Sequence, residues 1–366
     1  MVTYRTERTV EDGRWLPRAT QAIHGLEKMS PFFMSVASPS NHWLFVSSLG
    51  SLTAGRKSVE QALFPYRTVD QIHDAAGKVG GRTLVRRHAD GAIWEPFTER
   101  SAGLEGITRS ISRSAWGTSV TLSELHGAFG IEVRQTWTTS QARGVLRFTE
   151  IIATGSDPVS FDLIDGVVDV LPAEVDPDMQ ARLSSLVTAY RMAELSEDVA
   201  VFTLGSIPLD RAAPNEALRG TTAWSTAQGA RLLSEAQIEG FRRGEDVVEE
   251  PRARGVRCAL LVARTVHLSQ GERDRSAMAL EVHQAASDVD GLQAWIKVQP
   301  DLLDALRKDA EGTELDLVAL LSRADALQRT DSFAEDARHY ANTLYNVMRG
   351  GLPIAEYRAP RPDAPA

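Results

Sequence analysis

The sequence predicts a mainly β protein: a large antiparallel β-sandwich followed by a C-terminal helical segment. Three observations carry this expectation. Over about the first 285 residues, short apolar or alternating runs follow one another, each bounded by Gly, Pro, Asp or Ser. Long helical crossovers between these runs are missing, which disfavours a parallel sheet and favours a sandwich. Beyond residue 286 the apolar spacing turns helical, so strands and helices form separate blocks. The expected organisation is a sandwich domain over 1–285, a helical linker segment over 286–351 and a disordered tail over 352–366, where four prolines leave little to bury.

The run 129–137 is the clearest strand. Phe129, Ile131, Val133 and Trp137 fall on one face and Glu132, Arg134 and Thr136 on the other, with only Gln135 breaking the apolar set. Similar runs occupy 43–48, 82–88, 119–125, 145–153, 159–171, 199–207, 258–266 and 278–283. One helix interrupts them: Asp176 can cap it, Pro177 suits its first turn, and Met179, Leu183, Leu186, Val187 and Tyr190 recur at helical spacing. Later helices are expected over 300–310, 313–329 and 331–349. In the last of these Phe333, Ala337, Tyr340, Leu344 and Val347 form a stripe, and Gly350-Gly351 is a stop.

The 366 residues, 43% of them hydrophobic, are enough for a large core. Lys+Arg 40 against Asp+Glu 49 gives a net charge of −9 without a basic block, which argues against nucleic-acid binding. No window approaches the ~18 apolar residues of a membrane span, and the charged N-terminus lacks the apolar stretch of a signal peptide. A cytoplasmic location is the expectation. The single cysteine, Cys258, lies in an apolar run where it serves as a small hydrophobe.

Phosphate-loop, dinucleotide-binding, zinc-protease and Gly-x-Ser-x-Gly signatures are all missing. The eight histidines are scattered. Asp70, His73 and Asp74 would share a helix face as a possible metal cluster, but a turn with ordinary polar contacts is the favoured reading, and no cofactor or metal is expected. What stands out is a series of segments mixing rings with amide, guanidinium and carboxylate groups: 41–43, 50–57, 63–66, 70–74 and 94–97. Such a mixture suits sugar recognition, since a pyranose offers C–H faces to a ring and hydroxyls to fixed polar partners. Asn41, His42, Arg56, Lys57, Asp74, Trp94 and Glu95 are the candidate saccharide-binding residues. The alternative for each ring, Trp43, Phe64, Tyr66, Trp94 and Phe97, is sandwich core. In a second such segment, 206–225, Asp210-Arg211 suits a buried bidentate pair pinning a long loop.

The order NHWLFVSSLGSLTAGRKS, PYRTVDQIHD and RTLVRRHADGAIWEPF resembles the N-terminal region of cellobiose-phosphorylase-like proteins, which are related to glycoside hydrolase family 94. The family's Asp-x-x-Gly-x-x-Trp-x-Pro element is matched in part by residues 89–96, and SIPLDRAAPNEALRGTTAWS and ARHYANTLYNVMRGG look like later pieces of the same relatives. The resemblance implies a galactose-mutarotase-like super-β-sandwich, linker helices, and then an (α/α)6 barrel holding the catalytic carboxylate. It also implies dimers. Two departures stand out: Ser51 to Arg56 offer no match to the aromatic residue that follows the family's Gly-rich turn, and nothing after residue 351 could build the barrel.

The expectation is therefore a carbohydrate-binding or positioning part, homodimeric, of a glycoside phosphorylase-like or hydrolase-like protein, with the catalytic barrel supplied in cis or in trans. By itself the chain is expected to be non-catalytic, because no pair of carboxylates suited to glycosidic cleavage is evident. Two rival readings stand beside it. One is an aldose 1-epimerase, pairing His73 or His126 with Glu95 or Glu124 as acid and base. The other is a purely structural sandwich module.

Overall fold

A computed structural model describes residues 2–9, 18–102, 104–205, 219–328 and 330–348. The alternation in the clearest run becomes strand Ile131–Ser140, whose Ile131, Val133 and Trp137 are buried. Among the described residues three sheets form, and every strand pairing is antiparallel. The largest has eleven strands in the order Thr3–Thr9, Arg18–His24, Ile107–Ser114, Ser119–His126, Ile131–Ser140, Gly144–Ala153, Arg273–Gln284, Gly220–Ser225, Val199–Leu204, Arg191–Ser196 and Arg252–Arg254. A five-stranded sheet runs Ala230–Leu232, Cys258–Leu268, Val159–Val170, Gly80–Arg87 and Ile93–Trp94. A three-stranded sheet comprises Phe33–Val36, His42–Ser47 and Leu52–Arg56.

One apolar core joins them. Leu44, Val46 and Leu52 of the small sheet meet Val85, Phe161, Leu163 and Leu260 of the five-stranded sheet and Ile111, Leu122, Val133 and Val145 of the large one. The alternate residues face outward and are covered separately. Ile238 and Phe241 of the short helix Ile238–Arg242 lie on Leu84, Ile164 and Leu261. Val289, Leu292, Ile296 and Leu306, from helices Ala286–Val298 and Leu302–Ser322, cover Leu146, Trp224 and Ala277 on the back of the large sheet. Helix Phe333–Met348 completes the block through Tyr340, which packs on Leu317, Leu321 and Trp116.

The strand-then-helix order is as the sequence predicts, but several element bounds differ. Helix Ala286–Val298 was not among the expected helices; its stripe of Val289, Leu292 and Ile296 is short and set among charged and small residues. The two helices expected over 300–310 and 313–329 are one, Leu302–Ser322, capped by Asp301 and running through Gly312, which packing outweighs as a breaker. Conversely, the helix capped by Asp176, whose carboxylate accepts from Met179 N at 2.7 Å, breaks at Leu183 into Pro177–Arg182 and Ser184–Tyr190. The expected tail 352–366, the Gly350-Gly351 stop and the Asp210-Arg211 pair lie outside the described residues.

Inside the core sits an ion pair. Arg147 of the large sheet faces Asp165 of the five-stranded sheet, with Nη1 donating to Oδ2 at 3.1 Å and Nη2 to Oδ1 at 2.6 Å. Thr83 Oγ1 donates to Asp165 Oδ1 at 2.5 Å and accepts from Arg147 Nη2 at 3.2 Å and Gln135 Nε2 at 3.0 Å. All four residues are buried. This network accounts for the polar interruption of the inward-facing set Ile131, Val133 and Trp137: Gln135 points inward and donates to Thr83, which in turn bonds both members of the pair. Cys258 is buried in the same core, and burial pushes its thiol up to about 12, so it is inert as a nucleophile.

Removing one partner of a buried pair leaves the other charge uncompensated, so Arg147→Ala and Asp165→Ala should each cost about 3–5 kcal/mol in denaturant unfolding. The double replacement Arg147→Met with Asp165→Leu should recover most of that loss. Single variants that lose no more than about 0.5 kcal/mol, as surface changes do, would contradict the assigned role.

Candidate functional site

The seven residues singled out in the sequence divide into separate places. Four gather at the open end of the small sheet's central hairpin. His42 pairs with Arg56 across the strands, and Asn41 O accepts from Lys57 N at 2.8 Å. Glu281 of the large sheet ties them down: its Oε2 accepts from Arg56 Nη1 at 2.8 Å and lies 3.3 Å from His42 Nε2, while His42 Nδ1 lies 2.8 Å from Ser40 Oγ. His42 and Glu281 are buried, whereas Asn41 and Lys57 are exposed. The cluster fastens the small sheet to the large one; a hollow of about 290 Å³, lined by Arg143, Trp224 and Glu281, lies alongside.

The other three are elsewhere. Trp94 is only 1% exposed and belongs to the core, its Nε1 donating to Glu124 Oε1 at 3.0 Å. Glu95 is buried between guanidinium groups: Arg82 Nη2 at 2.8 Å, Arg242 Nε at 2.7 Å and Arg242 Nη2 at 2.8 Å. Asp74 ends helix Val69–Asp74, and its carbonyl accepts from Lys78 Nζ at 3.4 Å. The hairpin's tight end, not its open end, approaches this region, since Gly50 lies against Phe97. One cleft holding all seven residues is therefore not formed. Local spacing could not reveal this, because a hairpin separates its two ends by the length of its strands.

The pairs nominated for epimerase chemistry are likewise committed to structural partners. Glu124 is fully buried and accepts from Trp94 Nε1, from Phe97 N at 2.8 Å and from Arg109 Nε at 2.7 Å. His126 packs edge-on to Trp94 and beside Phe129, and burial lowers its pKa. His73 Nδ1 lies 2.8 Å from Ser47 Oγ. Among the described residues no group of three or more His, Cys, Asp or Glu could hold a metal; the Asp70 side chain lies outside the description.

What the fold does assemble is an aromatic shelf on the outer face of the small sheet. In strand His42–Ser47, Leu44 and Val46 point into the core, so Trp43 and Phe45 must point out. Phe33, diagonal to Phe45 across the adjacent strand pair, meets it at 5.9 Å between centroids. Trp43 stands 6.4 Å from Phe45 and 5.8 Å from Tyr66. Phe64 is buried against Trp137 and Pro65 O accepts from Thr53 Oγ1 at 3.1 Å, after which the irregular chain leaves the core and exposes Tyr66. Phe33 is 37% and Tyr66 40% exposed, while Trp43 and Phe45 are half-buried. Gly55, opposite Trp43, is what permits this: a Cβ there would come within 2.4 Å of both the indole and Gln61 O. Trp43 Nε1 donates to Ser58 O at 3.1 Å, fixing the ring.

Two hollows adjoin the shelf and share Tyr66 and Arg67. One, about 180 Å³, is bounded by Phe33, Phe45 and Ile72; the other, about 360 Å³, is polar and lies under helices Pro177–Arg182 and Ser184–Tyr190. Sequence reading noted Trp43 and Tyr66 but not Phe33, Phe45 or Arg67. The alternation of 42–47 was the available signal. A larger concavity of about 650 Å³ lies between the hydroxyl-rich back of the large sheet and helix Leu302–Ser322. Many of its polar groups are paired with one another, as in Thr121 with Thr136, Arg134 with Glu132 and Ser123 with Glu132, and among the described lining residues only Phe148 and His24 carry a ring.

No family model matches the chain, and no curated protein matches it by sequence. Solved structures do resemble it. A putative aldose 1-epimerase from Escherichia coli K12 is 12% identical with a TM-score of 0.37, covering 69% of this chain and 99% of that one. A bacterial glucoamylase complexed with acarbose is 6% identical with a TM-score of 0.42, covering 88% and 41%. A putative kojibiose phosphorylase from human microbiome is 5% identical with a TM-score of 0.33, covering 92% and 33%. The chain thus spans the length of the epimerase and less than half of the other two. With identities of 12% or lower, this likeness carries no superfamily assignment. At TM-scores below 0.5 it assigns no activity.

The two kinds of ring predict different responses to truncation. Trp94→Ala should lose about 3–5 kcal/mol of stability by emptying the core and unpairing Glu124. Tyr66→Ala should lose less than about 1 kcal/mol, as a partly exposed side chain does. Chemical denaturation of both variants checks this, and equal losses would place Tyr66 in the core and remove the shelf.

Proposed function

We propose that the chain binds saccharide on the aromatic shelf, as the carbohydrate-binding or positioning part of a glycoside phosphorylase-like or hydrolase-like protein. The observation that supports this best is the row Phe33, Phe45, Trp43 and Tyr66 on the outer face of the small sheet, its two end rings exposed, with successive centroids 5.8–6.4 Å apart and two hollows beside it, one apolar and one lined by guanidinium groups. An exposed row of rings is costly on a soluble surface unless something covers it. Sugar C–H faces suit such rings, which are pre-ordered on a sheet and so lose little entropy on binding. The buried carboxylates Glu95, Glu124 and Glu281 are held by structural partners, which supports a binding role over glycosidic cleavage by this chain. A catalytic barrel, in cis or in trans, would act on the saccharide that the shelf holds.

Affinity electrophoresis through gels containing soluble α-glucan, β-glucan or galactan tests the reading. Retardation by at least one glycan is expected, and Tyr66→Ala and Phe33→Ala should each weaken it roughly five- to tenfold, the loss of about 1–1.4 kcal/mol of stacking. No retardation by any glycan, or retardation that survives both substitutions unchanged, would overturn it.

A further inference from the structure

The polar hollow beside the shelf has a charge that the rest of the chain does not lead one to expect. In a protein of net charge −9, its lining brings together Arg67, Arg191 and Arg257 against, among the described residues, the single carboxylate of Asp169. Arg191 is only 6% exposed; its Nη1 donates to Asp169 Oδ1 at 2.6 Å, but its buried Nε has no partner among the described residues. Arg67 Nε is also buried and without a partner among the described residues. Leaving such donors unmade is costly, so they mark a place where an acceptor is wanted. Glu235 stands near Arg257 and Asp169, and burial raises its pKa; even with it ionised the balance around the hollow stays positive.

Backbone strain points to the same spot. Asp169 has φ +56°, a left-handed conformation uncommon for a side-chain-bearing residue, and it lies at a register shift between Val168 and Val170 in strand Val159–Val170. The shift inserts an extra residue and swings Asp169 out of the alternation toward Arg191, which orients that guanidinium. Gln180 and Thr188 add neutral hydrogen-bonding groups to the lining, and Tyr66 joins the hollow to the shelf.

We infer that this hollow takes the anionic group of an acidic saccharide, a carboxylate or a phosphate carried on a sugar whose ring lies on the shelf. The inference rests on the shelf's binding saccharide and names the class that it prefers. Guanidinium forks match the paired oxygens of either group, and the hollow, at about 360 Å³, has room for one charged sugar unit.

Isothermal calorimetry on the full chain separates the two claims. One arm compares trigalacturonate with its neutral methyl ester; the other compares glucose 6-phosphate with glucose. The acidic member of at least one pair should bind roughly tenfold tighter, and that ratio should fall toward one in high salt and in Arg257→Gln or Arg67→Gln, with Arg67→Lys retaining part of it. The arm that shows the preference identifies the anion. Neutral saccharides that bind as tightly as acidic ones, with a ratio insensitive to salt and to both Gln variants, would overturn this inference and leave the shelf reading standing. No binding by any of the four, together with no glycan retardation in gels, would overturn both.

Discussion

The buried pair of Arg147 and Asp165 is the interaction on which the rest of the architecture depends. A guanidinium and a carboxylate between two sheets are tolerated where the charges pair and further hydrogen bonds surround them, so Thr83 and Gln135 arrive in register from strands Gly80–Arg87 and Ile131–Ser140. A one-residue slip of either sheet would turn the pair's members to opposite faces. The same register requires close approach of backbones: a Cβ on Gly81 would lie 2.5 Å from Gln135 Oε1. With strand Val159–Val170 held at Asp165, its irregularity at Asp169 has only one place to go, toward Arg191 and the polar hollow.

Satisfaction of buried charge also determines what is left for function. Glu124 is saturated by Trp94, Phe97 and Arg109, Glu95 by Arg82 and Arg242, and Glu281 is held by Arg56 and His42. Each of these clusters joins one element to another, and each removes a carboxylate from the pool available to a ligand. The outer face of the small sheet is different. Its inner residues, Leu44, Val46 and Leu52, anchor it in the shared core, and its outer rings lean on one another, with Trp43 also packed against the cluster around Met179 and Val187. A rigid scaffold therefore presents a ready-made apolar surface next to guanidinium groups whose buried Nε atoms lack partners among the described residues.

The two-block order and most of the long strands were legible in the sequence because alternation and turn residues are local signals, as in 129–137 and 258–266. Helix Ala286–Val298 was not, since Val289, Leu292 and Ile296 form a stripe too sparse to stand out until the back of the large sheet is there to receive it. The two tryptophans show the same limit. Trp43 and Trp94 look alike in sequence, each set among polar residues, yet Trp94 finds Glu124 thirty positions away and is buried, while Trp43 is kept at the surface by Leu44 and Val46 beside it. The guanidinium hollow was invisible for a plainer reason: Arg67, Asp169, Arg191 and Arg257 come from four distant segments and meet only when the sandwich closes.

The central claim is that saccharide binds on the outer face of the small sheet, and the tryptophan indoles report on it directly. In a titration followed by ¹⁵N–¹H correlation spectra, the Trp43 Nε1–H resonance, assigned by Trp43→Phe, should shift progressively with added saccharide. The resonances of Trp94 and Trp137, buried in the core, should stay in place. Saturable movement of Trp224 or Trp295, behind the large sheet, with Trp43 unmoved would place the ligand on the opposite side of the molecule and contradict the account.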